Sequence, residues 1–391
     1  MGAPVSGVQG YIPVNENAFS GSIGYSDRAL EYVQKTIALS IFNLEKNRAN
    51  QAMKLSPALA VFAMGYKNPE LNIKTSKYSA IGKFRKYKNS APVQVRVRAD
   101  SSENIVKMEK YDSKYKVSPQ ADAKFSYFSP TLCSDTISFF KTQLEQLQST
   151  ASYTDFINDQ VAMLSESTPD EIAKSALNET HTGKFGSIRG VIKTSGNIGT
   201  LAATTKNKQG DTFWKANSKT TATWYNTGSK DASDLLLTCD QYSKKGVVDI
   251  GLCNKAYYSN YREELKTKGS LDFTGFAKKL QELDYNFKLI SVDGTPLIYD
   301  PNFILSDEDT GKAFYLNSEH FFPATVEKQV SILSPTGKKF AGKVWLGDVT
   351  PARLVDNLSE QYFQALNAYF HWITTQPNTC GIHIVSSYAT S

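Results

Sequence analysis

The sequence predicts an α+β fold whose helices and strands are segregated along the chain. Three observations carry this. Apolar residues recur at three- and four-residue spacing in Leu30, Val33, Ile37, Ile41 and Leu44, and again after about Ser134, as a buried helical face requires. Val93, Val95 and Val97 alternate with Gln94, Arg96 and Arg98, which sets apolar and basic side chains on opposite faces of a strand. Two apolar runs, Phe287–Val292 and Thr295–Tyr299, flank Asp293-Gly294, the pair that tolerates positive φ in a tight hairpin turn. There is no internal repeat and no regular strand–helix–strand alternation.

Taken in order, residues 1–73 read as an N-terminal arm and a first helix. Residues 1–25 are rich in Gly, Ser and Asn with scattered apolar side chains, an arm that orders only against another surface. Asp27 then opens the amphipathic helix. Residues 74–128 read as an extended basic loop of two strands. Turn chemistry at Asp100–Asn104 separates Val93–Arg98 from a returning strand at Ile105–Tyr111. The segment has too few apolar residues for a core of its own, so it projects into solvent or lies on a neighbouring subunit.

Residues 129–182 read as a spine helix region. Ile137, Phe140, Leu144 and Leu147 form a short heptad-like seam, and Tyr153, Phe156 or Ile157, Val161 and Leu164 continue the face after a Ser/Thr break. Thr168-Pro169-Asp170-Glu171 has the form of a capping box opening a helix that runs to about Asn178. Residues 183–285 begin with irregular loops and short strands rich in Gly, Thr, Asn and Ser. A helix at Asp231–Gln241, a buried strand at Val247–Leu252 and a helix at Asn254–Lys266 follow. Residues 286–391 hold the Asp-Gly hairpin, a strand at Ala313–Leu316, a long helix at about Ala352–Thr374 and a closing strand at Ile382–Val385. The helix is read from Val355, Leu358, Tyr362, Leu366, Tyr369 and Ile373.

Composition bounds the function. A chain of 391 residues, 40% hydrophobic and 21% charged, exceeds one compact core and is neither a disordered tail nor a fibre. No run of eighteen apolar residues reads as a membrane span, and the first thirty residues lack the apolar core of a secretory signal. Aromatic content of 12% suits extensive contact within or between subunits. The net charge of +6 is uneven: residues 74–116 hold twelve Lys and Arg against four acids. That one segment carries the whole basic character and fits either nucleic acid or an acidic surface on another subunit.

A search for catalytic chemistry returns little. Gly337–Lys343 has the spacing of a phosphate loop, but Val344 stands where Mg²⁺ coordination needs Ser or Thr, and a turn between strands fits better. The four histidines (His181, His320, His371 and His383) form no zinc motif, although His371 and His383 could approach each other. Glu263-Glu264 reads as a solvated helix face. Cys133, Cys239, Cys253 and Cys380 contain no closely spaced pair and read as buried reduced thiols. No catalytic residue, cofactor site or metal site is assigned, and the chain is expected not to be an enzyme. The residues singled out for subunit contact are Lys83, Arg85, Lys86, Lys88, Arg96, Arg98, Lys107, Lys110 and Lys114 in the extended loop. Asp293 and Gly294 are assigned a structural hairpin turn.

The order of these elements resembles the major capsid protein of tailed bacteriophages of the Hong Kong 97 type. Two stretches carry the likeness. Phe287–Leu316 with the five residues after it, FKLISVDGTPLIYDPNFILSDEDTGKAFYLNSEHF, is similar to the family's strand, Asp-Gly-x-Pro turn, strand, Asp-Pro and short strand ending in Leu-Asn. VVDIGLCNKAYYSNYREEL is similar to its strand leading into a Tyr-containing helix. The resemblance implies an N-arm, an extended loop, a spine helix, an axial domain (residues 183–285, mostly) and a peripheral domain to which residues 286–391 return.

It further implies self-assembly into pentamers and hexamers of an icosahedral shell around double-stranded DNA, in a virion capsid assembled in the host cytoplasm. Partners would be other copies of the chain, a separate scaffolding protein, a portal and decoration proteins, with the packaged DNA held by non-specific contact and no membrane. Some members form Lys–Asn isopeptide cross-links. Lys107, Lys110 and Lys114 lie in the corresponding loop, but no Asn or Glu here matches, and cross-linking is not expected. The rival reading is a nucleic-acid-binding protein using residues 74–116, where Tyr78, Phe84, Tyr87, Tyr111 and Tyr115 interleave with the basic side chains.

Overall fold

Two six-stranded sheets, each assembled from strands far apart in sequence, form the framework of the chain that the computed structural model describes. The described residues are 56–58, 85–87, 93–96, 125–128, 131–140, 155, 159, 174, 176–177, 187–206, 210–225, 227–242, 248–267, 289–305, 310–326, 328–333, 339–344, 347–349, 353–356 and 361–387. The predicted arm and first helix, apart from 56–58, and the predicted strand at Ile105–Tyr111 lie outside them.

In chain order the first strands are β1 (Arg85–Tyr87), β2 (Val93–Arg96), β3 (Phe125–Phe128), β4 (Thr131–Phe140), β5 (Asn197–Ile198), β6 (Leu201–Ala202), β7 (Asn217–Thr223), β8 (Ile250–Cys253) and β9 (Leu289–Val292). Then come β10 (Thr295–Tyr299), β11 (Gly311–Leu316), β12 (Phe321–Val326), β13 (Lys328–Leu333), β14 (Lys339–Val344), β15 (Gly347–Val349), β16 (Arg353–Asp356), β17 (Gln361–Thr374) and β18 (Gly381–Ser387). The helices are α1 (Ile188–Val191), α2 (Gly228–Tyr242) and α3 (Lys255–Thr267).

The first sheet is organised by β17. Antiparallel partners β12, β15 and β16 take successive stretches of it, from Phe321 opposite Thr374 down to Asp356 opposite Gln361, and β4 pairs with Gln361–Phe370. Strand β1 adds to β12 in parallel. The second sheet has the order β7-β18-β11-β8-β10-β9. It is mixed: β7 with β18 and β8 with β10 are parallel, and the other pairs are antiparallel. Hydrogen bonds stitch the two chain passages that join the sheets, Thr375 N–H to the His320 carbonyl at 2.8 Å and His320 Nδ1 with Thr375 Oγ1 at 2.9 Å.

The second sheet holds the larger described core. Every residue of β8 is buried, as are Leu297, Ile298, Phe314 and Tyr315 on its neighbours. Helix α2 contributes Ala232, Leu235, Leu236 and Cys239, and α3 contributes Tyr257 and Tyr261. These positions repeat at helical spacing, so each helix closes the sheet with one apolar face. Asn254 sets the start of α3. Its side-chain oxygen accepts from the Tyr257 and Lys312 amides at 3.1 and 3.0 Å, and its amide group donates to the Thr310 carbonyl at 2.8 Å.

Several sequence expectations hold. The Asp-Gly hairpin joins β9 to β10 with Val292 opposite Thr295, and φ is +47° at Asp293 and +78° at Gly294, the two left-handed positions of a tight turn. The strands expected near Ala313–Leu316 and Ile382–Val385 and the helices near Asp231–Gln241 and Asn254–Lys266 are present. Asp155, Asp159, Lys174, Ala176 and Leu177 are helical, within the predicted spine helix region. Residues 339–344 form a hairpin strand against β13, in keeping with a turn between strands in place of a phosphate loop.

Two helices are corrected. The segment after Ser134, read as the start of the spine helix, is strand β4 through Phe140, and the long C-terminal helix at Ala352–Thr374 is replaced by strands β16 and β17. The apolar positions of these segments satisfy a helical period, but they also fill both faces of a strand. His371, Trp372, Ile373 and Thr374 are all buried, so the C-terminal end of β17 is covered on both sides and shows no alternation there. Aromatic and β-branched residues in such a position favour the strand once partners occupy both edges.

Candidate subunit-contact site

Of the nine basic residues singled out in the extended loop, three are described. Arg85 and Lys86 lie in β1, opposite Ala324 and Thr325 of β12, and so belong by backbone pairing to the first sheet. Arg96 ends β2. Lys83, Lys88, Arg98, Lys107, Lys110 and Lys114 lie outside the described residues.

Strand β2 pairs antiparallel with β3, and this is the described base of the loop. The register sets Val93 opposite Phe128, Gln94 opposite Tyr127, Val95 opposite Ser126 and Arg96 opposite Phe125. Strand β3 alternates strictly: Ser126 and Phe128 are buried, whereas Phe125 and Tyr127 are 40% and 43% exposed. One face therefore looks inward and the other offers two aromatic rings to solvent.

The inward face is fixed by Ser126. Its hydroxyl donates to the Ile198 carbonyl at 2.9 Å and accepts the Thr200 amide at 3.2 Å, while the Tyr127 amide donates to Thr200 Oγ1 at 3.1 Å. Trp214 Nε1 donates to the same Ile198 carbonyl at 3.0 Å. The turn that receives β3 joins β5 to β6 through Gly199, whose φ is +61°. A Cβ at Gly199 would stand 2.7 Å from the Tyr127 carbonyl oxygen and closer still to the Ser126 hydroxyl, so only glycine permits this approach.

A chain of polar groups runs into the second sheet from the part-exposed Lys219 and Asp231 to buried side chains. Thr221 Oγ1 meets Asp231 Oδ2 at 2.6 Å and His383 Nε2 at 2.9 Å; His383 Nδ1 meets the Tyr257 hydroxyl at 2.6 Å, which meets the Tyr315 hydroxyl at 2.9 Å. Lys219 pairs with Asp231 at 3.3 Å. His383, Tyr257 and Tyr315 are wholly buried. Burial pushes His383 down to about 4, against the pull of the Asp231 carboxylate, and pushes both tyrosines above their ordinary range. Burial also raises Asp231, but the Thr221 hydroxyl and the Lys219 ammonium outweigh it and hold the carboxyl below its usual value. The network ties β7, β11, β18, α2 and α3 together.

His371 and His383 do not meet in one site, since they belong to different sheets. Glu264 corrects the expectation of a solvated acidic pair. It is buried and accepts from Trp224 Nε1 at 2.8 Å and Ser229 Oγ at 2.6 Å, while Glu263 stays in water with Lys266. Cys239, Cys253 and Cys380 are buried free thiols, pushed up by that burial. Among the described residues no three His, Cys, Asp or Glu side chains are grouped to hold a metal ion, and no helix is long and apolar enough to cross a membrane. Nothing in the sequence flagged the Ser126–Gly199 contact, whose partners are more than seventy positions apart.

No protein-family model matches the chain, and no curated protein does. Among solved structures the chain is similar to the capsid of cyanophage A-1(L), at 11% identity over 85% of this chain and 93% of that one, with a TM-score of 0.47. It is similar to the SrpI encapsulin complex of Synechococcus elongatus, at 10% identity over 79% and 88%, with a TM-score of 0.42. It is also similar to a virus-like particle from Pyrococcus furiosus, at 11% identity over 88% and 99%, with a TM-score of 0.37.

Proposed function

We propose that this chain is a major capsid protein of the Hong Kong 97 type, assembling with copies of itself into pentamers and hexamers of an icosahedral shell around double-stranded DNA. The observation that carries the reading is the base of the extended loop. Strand β3 is pinned inward by Ser126 and presents Phe125 and Tyr127 outward, with Arg96 opposite Phe125 in the register. Exposed aromatic rings on a strand fixed from behind are the composition of a subunit interface. The order of elements and the FKLISVDGTPLIYDPNF stretch supply the family resemblance. The five-part division at residues 73, 128, 182 and 285 belongs to the same reading, with the basic loop lying across a neighbouring copy.

The role is structural, without catalysis or cofactor. A scaffolding protein, a portal and decoration proteins are the accessory partners this implies, the DNA is held by non-specific contact, and the chain resides in the virion capsid after assembly in the host cytoplasm. Many weak, symmetric contacts then sum to a stable shell.

The test is expression of the full chain alone and with a scaffolding partner, followed by light scattering and negative-stain imaging. Shells, tubes or ring-shaped capsomers are the expected outcome. A compact monomer, with a radius of gyration near ~21 Å, that binds DNA with steep salt dependence would replace this reading with nucleic-acid binding through residues 74–116.

A further inference from the structure

The hydrogens of the buried network have a single consistent direction. An ionised carboxylate accepts only, so Thr221 must donate to Asp231 across their 2.6 Å contact. The Thr221 oxygen is then an acceptor toward His383, and Nε2 of His383 carries the ring proton. Nδ1 is left as an acceptor, so Tyr257 donates to it at 2.6 Å, and Tyr315 donates to Tyr257 at 2.9 Å. Four side chains from β11, α3, β18 and β7 thus point their hydrogens one way, toward the carboxylate on α2.

We propose that this one-way relay is an acid-operated lock, which fastens those five elements together only while His383 is neutral. A second proton on the ring must sit on Nδ1 and face the Tyr257 oxygen. Tyr257 would then turn its hydrogen toward Tyr315, and Tyr315 would turn its own away, in a site with no exposure to water for either ring.

The charges around the ring leave burial in control. On α2 stands Asp231, which favours the protonated ring, with the buried thiol of Cys239 further along the helix; on β7 stands Lys219, 3.3 Å from Asp231, which opposes protonation. Helix α3 supplies Tyr257 and Tyr261, and its Glu264 is held by Trp224 and Ser229. Strand β11 supplies Tyr315 and Lys312, whose ammonium stands 5.2 Å from the centre of the Phe314 ring, and β8 behind it supplies the buried Cys253 thiol. The low proton affinity of His383, about 4 against an ordinary 6.5, agrees with this geometry. The lock does not depend on whether the chain builds a shell.

The experiment is urea denaturation of the full chain from pH 8 to pH 4, for the wild type, Tyr257→Phe and His383→Gln. Tyr257→Phe removes the only donor to Nδ1 in the relay while keeping the ring volume, so its acid limb should begin about one pH unit higher than the wild type's. His383→Gln should denature more easily at pH 7 and show a shallower acid limb. Superimposable pH profiles for the wild type and Tyr257→Phe overturn the lock, whether or not His383→Gln folds. So does an imidazole nitrogen NMR signature of the Nδ1–H tautomer at His383.

Discussion

The Asp300 carboxylate accepts the Ser56 hydroxyl at 2.6 Å and the Ala58 amide at 2.9 Å, joining the turn after β10 to a segment more than 240 positions earlier. Its other oxygen accepts from the amide and side chain of Asn302. Asp300→Ala removes the acceptor that these donors share. A loss of about 2–4 kcal/mol in urea denaturation is expected, together with faster proteolytic cleavage near Ser56. Asp300→Asn retains part of the acceptor set and should lose less.

Two glycines with positive φ should respond differently to the same substitution. At Gly294 a Cβ meets nothing within 4 Å, so Gly294→Ala carries only the backbone penalty of about 1–2 kcal/mol. At Gly199 the penalty is joined by collision with Ser126 and Tyr127, and Gly199→Ala should detach β3 from its turn. Thermal melts of the two variants would show the larger loss at Gly199, and a reversed order would refute the packing described for Ser126.

Phe125 and Tyr127 contribute little to the isolated fold because both rings are largely exposed. The double change Phe125→Ser, Tyr127→Ser should leave the denaturation midpoint within about 0.5 kcal/mol of the wild type. In sedimentation or negative stain it should sharply reduce assembly. Unchanged assembly would remove this face from the interface.

His371 is buried, its ring nitrogens have no hydrogen-bond partner among the described residues, and burial holds it at about 4. The unfolded ring titrates near its ordinary 6.5, so the unfolded state takes up the proton first as the pH falls. The contribution of neutral His371 to stability is therefore complete above pH 6.5 and is lost as the pH falls toward 4. His371→Leu should lessen the fall in the urea midpoint between pH 7 and pH 4.5, at little cost at pH 7.

Local signals were readable in the sequence and paired ones were not. Asp293-Gly294 declares its turn through two adjacent residues, and Asn254 sits directly before the helix it caps. Strand β17 reads as a helix because Tyr362, Leu366, Tyr369 and Ile373 fit a helical stripe. What makes that segment a strand is the company of β12, β15, β16 and β4, the last of these more than 220 positions away. The same holds for His383, whose partners Thr221 and Tyr257 lie 162 and 126 positions back. Glu263 and Glu264 are chemically identical neighbours, and it is Glu264 that leaves water to meet Trp224 and Ser229.

Because β4, β12, β15 and β16 all pair with β17, the strand that unites the first sheet is also the last of its six to be synthesised. The ribosome delivers Thr131–Phe140 long before Gln361 exists, and that early segment must wait without its native hydrogen-bonding partner. The sheet therefore closes late, although β1 and β12 can pair before β17 exists. A growing chain exposes the edge of β4 throughout, which makes this interval the point at which a chaperone has most to offer.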